Sequence, residues 1–162
     1  GMVYALARSV REGRSKLRYN LWEPSFGHYS LVRGKDVWRL SGVDTTLEDL
    51  DLRSLPRSYL NKLAQINLLV TRLVRGEEAN QDLFNTLYAG AEFLTKSREI
   101  KEETLLDFEL ALAVKVLSAL GYHDLEEESQ SLVIDERAIS RLSGVRSQVL
   151  SKVNEALSHT HL

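Results

Sequence analysis

Apolar positions follow two regimes along this chain. In residues 37–43 Trp38 and Leu40 share one face while Val37, Arg39 and Ser41 share the other. That period of two predicts a half-buried strand. Residues 28–33 read as its hairpin partner, with Arg33-Gly34-Lys35-Asp36 as the turn and Gly34 free to take positive φ. Residues 3–10, Val-Tyr-Ala-Leu-Ala-Arg-Ser-Val, lack helix caps and read as a further strand, followed by a polar, basic loop over 11–18.

After Val43 the spacing changes to three and four. A short helix is predicted at 46–51, capped by Thr45 or Thr46. A long one runs from Pro56 to Arg75, because Pro56 suits a first turn and Gly76 a stop. Tyr59, Leu63, Ile66, Val70 and Leu73 form its apolar stripe. A helix from Asn80 to Lys96 follows, with Asn80 as its cap and Leu83, Leu87, Ala91 and Leu94 as its stripe. The next, Glu102 to Leu120, is apolar on nearly all sides, which predicts a central place in a bundle. A last stretch covers Asp135 to Leu157, broken near Gly144. Strands first and helices after predict an α+β chain, divided as residues 1–44 and 45–162.

Charge divides at nearly the same place. Residues 1–40 hold eight bases and three acids, a net of +5, and the remainder holds 13 and 20, a net of −7; together they give the formal −2. Six of the 12 aromatic residues (Tyr4, Tyr19, Trp22, Phe26, Tyr29 and Trp38) lie in the first 38 positions. Bases neutralise phosphate and aromatic faces stack on nucleobases, so this mixture suits nucleic acid. The structural alternative is a small β-region with core aromatics and a solvated basic loop.

Composition narrows the chemistry. There is no cysteine, so disulfides, thiolate metal sites and cysteine nucleophiles are excluded. No apolar run has the length of a membrane helix, and a cytoplasmic protein is expected. His28, His123, His159 and His161 form no ligand spacing, so no metal or cofactor is predicted. Glu126-Glu127-Glu128 reads as a solvated run. Glu109, inside the most apolar helix, is either a tuned acid or a salt-bridged structural residue, and the second is the commoner case. Gly13 and Gly34 are isolated, so no phosphate-cradling glycine loop exists. Nothing points to an enzyme.

Two stretches resemble a known family. Tyr4-Ala5-Leu6-Ala7-Arg8-Ser9-Val10-Arg11, Ser15-Lys16-Leu17-Arg18, Leu21-Trp22-Glu23-Pro24-Ser25-Phe26 and Val37-Trp38-Arg39-Leu40-Ser41-Gly42-Val43 are similar to the second half of the OB-fold of bacterial RecO, a recombination mediator. Phe108-Glu109-Leu110-Ala111-Leu112 through Leu120-Gly121-Tyr122 resembles a helix of the same family, and Asp82-Leu83-Phe84 fits the helix before it. The resemblance implies a partial OB-fold of about three antiparallel strands followed by a helical bundle. It implies a non-enzymatic DNA repair protein that binds single- and double-stranded DNA, with a RecR-like protein and single-strand-binding protein as partners. Arg8, Arg11, Arg14, Lys16, Arg18 and Lys35 would contact phosphates, and Tyr19 or Trp22 would stack on bases. The alternative reading is a helical protein–protein interaction module that does not touch DNA.

The departures are specific. Family members begin the barrel with two further strands; here Gly1-Met2 reads as a tag scar and a start residue. Three strands cannot close such a barrel, so an unpaired edge and a homodimer through the β-part are expected. Many members also carry four zinc cysteines after the Leu-Gly-Tyr. Some carry a base just before Phe-Glu that seats the tail of single-strand-binding protein, where this chain has Leu106 and Asp107.

Overall fold

The fold is given by a computed structural model, which describes residues 1–7, 21–45, 50–97, 99–122, 134, 139, 142 and 144–158. Three strands come first: β1 (Ala5–Leu6), β2 (His28–Arg33) and β3 (Trp38–Asp44). Four helices follow: α1 (Arg57–Leu73), α2 (Gln81–Lys96), α3 (Glu102–Ala119) and α4 (Arg146–Ser158). The α+β class is therefore the observed one.

The sheet differs from expectation in one pairing. Its order is β1-β3-β2. The β2–β3 hairpin is antiparallel, but β1 runs parallel to β3, with Ala5 opposite Trp38 and Leu6 opposite Arg39. The sheet is thus mixed rather than antiparallel. A parallel neighbour needs a long connection, and here β1 and β3 are separated in the sequence by residues 7–37, which include β2. Of the predicted strand 3–10, only Ala5 and Leu6 pair, and 8–10 lie outside the described residues. The hairpin register shifts between Ser30 and Leu31.

Gly34 also departs from expectation. Among the described residues the left-handed glycines are Gly121, which directly follows the C-cap of α3, and Gly76, which lies in the loop after α1; α1 itself ends at Leu73 with Val74 extended as its cap, short of the expected stop at Gly76. Gly34 is needed for a close backbone approach instead. Its N–H donates to Val37 O at 3.0 Å, and a Cβ there would stand 2.9 Å from that oxygen.

The helices match their predicted spans to within two residues, apart from the last. Asn80 caps α2 by accepting from Leu83 N–H at 2.8 Å, and its amide donates to Ala119 O at 3.0 Å, joining the start of α2 to the end of α3. Of the predicted helix 46–51, residues 46–49 are not described; a 3₁₀ turn forms at Leu52–Ser54. Gly144 and Val145 form a turn before α4, where the break was expected.

The core lies around α3. Leu105, Phe108, Leu112 and Val116 pack with Tyr59, Leu63 and Ile66 of α1 and Leu83, Ala91 and Leu94 of α2. Leu110, Ala111, Val114 and Leu117 pack with Leu142 and with Val149 and Val153 of α4. Phe93 stacks on Phe108 at 5.3 Å between centroids. Glu109 is the structural residue expected of it: its carboxylate accepts from Lys62 Nζ at 2.5 Å, tying α3 to α1. Among the described residues the most buried acid is Asp107, which accepts from Arg146 Nε at 2.6 Å and so anchors α4.

No described residue of 1–45 is fully buried. The sheet therefore has no core of its own and is held by local contacts to the helices.

Candidate nucleic-acid interface

Of the residues expected to meet nucleic acid, Arg8, Arg11, Arg14, Lys16, Arg18 and Tyr19 lie outside the described residues. Lys35 and Trp22 are described. Lys35 is exposed on the hairpin turn. Trp22 is half-buried against the main core, with the Arg53 guanidinium 5.2 Å from its ring centroid. One face of Trp22 is therefore engaged within the protein.

The turn that carries Lys35 also gathers Arg33 and Arg39, both exposed. Arg39 crosses close to Gly34, whose missing Cβ would lie 3.5 Å from Arg39 Nε. Arg33 lies over Trp38 with its guanidinium 5.1 Å from the ring centroid. The Trp38 indole N–H donates to Glu77 Oε1 at 2.7 Å, and Glu77 Oε2 stands 3.9 Å from Arg33. Glu77 thus holds the hairpin on the loop between α1 and α2. The chain's start is held on the same loop, because Met2 N–H donates to Gly76 O at 2.8 Å.

A second attachment lies at the other end of the sheet. Phe26 meets Phe84 at 6.2 Å and Tyr88 at 5.8 Å, both edge to face, on the outer side of α2. Phe84 is 47% exposed although it belongs to this cluster.

The outer face of the sheet is apolar around one cation. Leu6, Arg39 and Val32 sit opposite one another across the three strands. Leu6 and Val32 are 42% and 56% exposed, and Tyr4 beside them 71%. Sequence reasoning singled out Lys35 and Trp22 and counted Tyr4 among the aromatics, but did not single out Arg75 or Glu77. No local signal marks those residues, because they join the hairpin only through contacts some forty positions away.

Comparison with known proteins adds to this geometry. Over 129 aligned residues the chain is 30% identical to the DNA repair protein RecO of Clostridium perfringens strain SM101, covering 75% of this chain and 52% of the relative. The RecO protein of strain 13 matches at the same identity, with 48% of that relative covered. This chain is RecO-like. It spans about half the length of the curated relatives it matches. No protein-family model matches it, and no solved structure does.

In the RecO-like chain Asp107 is buried and accepts from Arg146 Nε. Leu106 beside it is 42% exposed. Among the described residues, no group of three His, Asp or Glu side chains is placed to hold a metal, and no helix is long and apolar enough to cross a membrane.

Proposed function

We propose that this RecO-like chain is a DNA repair and recombination mediator. It binds single- and double-stranded DNA through its first 44 residues and catalyses no bond change. The similarity to RecO proteins supports the DNA repair role. The observation that carries DNA binding is the placement of charge: eight of the 21 bases fall in the first 40 residues, against three of the 23 acids. Arg8, Arg11, Arg14, Lys16, Arg18 and Lys35 contact phosphates in this reading, while Tyr19 and Trp22 offer ring faces. A RecR-like protein and single-strand-binding protein are its partners, and the cytoplasm its compartment. Residues 45–162 serve as the helical scaffold.

The test is a salt titration of single-strand binding by fluorescence anisotropy. With three to five phosphate contacts, log affinity falls against log salt with a slope of roughly −2 to −4. Changing Arg11, Arg14 and Lys16 together to Glu removes most of the binding and leaves the helical circular dichroism intact. Undiminished binding by that triple variant would overturn the role of the 8–18 segment. If the unaltered chain fails to bind DNA at all, the acidic helical region, net −7, becomes the working surface, and the chain is a protein-interaction module.

We also propose a homodimer through the β-part. β1 and β2 are both outer strands, and the exposed Val32 lies on β2. Outer strands with unpaired backbone groups favour pairing with another chain. Sedimentation of the chain beside Val32→Glu tests this: a dimer that becomes a monomer supports it, and a strictly monomeric parent refutes it.

A further inference from the structure

Between the hairpin turn, the chain's start and the α1–α2 loop lies an open groove of about 410 Å³. Tyr4 and Trp38 line it as aromatic walls, with Arg75 beside them and the carboxylates of Asp36 and Glu77 at its edges. We propose that this groove is a subsite for one unpaired nucleotide of a single strand, and that it favours bases carrying an exocyclic amine over thymine. The proposal rests on the DNA-binding reading above and adds to it a place and a base preference.

The argument has three parts. First, the volume lies within the range of small-molecule sites, about 300–1,000 Å³. Second, the groove's contents match the parts of a nucleotide. Tyr4 is 71% exposed, so its ring is accessible to a base. Stacking is how single-strand binders hold bases irrespective of sequence. Arg75 is an exposed cation at the same groove, suited to the linked phosphate. Arg33, Lys35 and Arg39 on the adjoining hairpin are exposed and add positive charge beside the groove. Third, the charged side chains at the groove edge other than Arg75 are hydrogen-bond acceptors. Glu77 accepts from Trp38 with one oxygen and faces Arg33 with the other, but a carboxylate has about four acceptor positions. Carboxylates accept from the N4 amine of cytosine; an unpaired thymine offers only its single imide N3–H, flanked by two carbonyl oxygens that would face the carboxylates unfavourably.

The experiment measures binding of fluorescein-labelled dC and dT homopolymers of equal length to the full chain, with Tyr4→Ala and Arg75→Ala alongside. Both substituted residues are exposed, so the fold is not at risk. Tighter binding of dC than dT is expected. Tyr4→Ala weakens dC binding by roughly five- to a hundredfold, the range for loss of one stacking partner. Arg75→Ala lowers the salt slope by about one. Asp36→Asn with Glu77→Gln, which replaces acceptors by groups that also donate, narrows the gap between dC and dT. In Trp22→Phe, which leaves Trp38 as the sole indole, dC quenches the emission. Normal binding with equal affinity for dC and dT, no effect of Tyr4→Ala and unquenched Trp38 would overturn the subsite while leaving DNA binding standing. Absence of binding by the unaltered chain would overturn both.

Discussion

Gly90 lies inside α2, buried and facing Leu112 of α3. A Cβ placed there would stand 2.8 Å from Leu112 Cδ2 and 2.9 Å from Cδ1. Carbon atoms prefer about 3.5–4.0 Å. Leu112 is itself wholly buried, so its branch end cannot swing into solvent to make room. Two effects oppose each other in Gly90→Ala. Alanine is favoured over glycine in a helix interior by about 1 kcal/mol. Overfilling a packed core costs about 1–3 kcal/mol. The balance is a destabilisation of about 1 kcal/mol, which in a chain of 162 residues lowers Tm by roughly 2–4 °C. Context then decides the sign. Leu112→Ala alone costs about 2–5 kcal/mol by opening a cavity. In that background the added methyl enters the vacated space, the clash is gone and the propensity gain remains, so Gly90→Ala becomes stabilising by about 1 kcal/mol. Urea unfolding of the four proteins, followed by far-ultraviolet circular dichroism, gives the coupling directly. If Gly90→Ala stabilises equally with and without Leu112, the two helices do not meet where the structure brings them together, and the reasoning fails.

Other outcomes follow from single contacts. Asn80→Ala removes a helix cap, which costs about 0.5–2 kcal/mol, and adds the lost bond to Ala119; Asn80→Asp, which keeps the cap but not the amide donor, loses less, as thermal melts will show. Arg146→Met leaves the carboxylate of Asp107 buried without its cation and lowers Tm; adding Asp107→Leu restores much of the loss, because an apolar pair needs no compensating charge. Glu77→Ala releases the Trp38 indole and shifts its emission while the helical signal stays constant, and hydrogen exchange in residues 28–44 quickens. Burial lowers the Lys115 pKa from its ordinary value. Between that lowered value and 10.5 the unfolded chain binds more protons than the folded one, so stability from this group rises with pH across that window. The difference between parent and Lys115→Met unfolding curves should show that rise, and a flat difference would contradict it.

What was legible in the sequence was local. Gly121 ended α3 in the left-handed conformation that glycine tolerates, and Asn80 capped α2 through its own side chain, whereas Gly76 took that conformation only in the loop beyond α1. Period two gave the hairpin because its partners are adjacent in the chain. The parallel seat of β1 on β3 was not legible, since partner choice between strands more than thirty residues apart depends on tertiary packing. The buried acid was partly legible. Glu109 drew attention for its place beside Phe108, but Asp107 precedes Leu110, Ala111 and Val114 by three, four and seven positions, a second apolar stripe that marks it as inward-facing. The groove lined by Tyr4, Trp38 and Arg75 joins three distant segments and left no trace in local pattern.

α3 forms a wall of both apolar clusters, with Leu105, Phe108, Leu112 and Val116 on one side and Leu110, Ala111, Val114 and Leu117 on the other. This places a delay in the life of the nascent chain. Synthesis runs from the N-terminus at about 5–20 residues per second. α1 is therefore complete several seconds before the last turn of α3 is made. During that interval Tyr59, Leu63 and Ile66 have no α3 to cover them, and the clusters are complete only when Ile139 and then Val149 and Val153 have been added. The sheet, with no core of its own, waits on the same event. The polypeptide thus completes its architecture late, with α3 waiting for the residues that close its two sides.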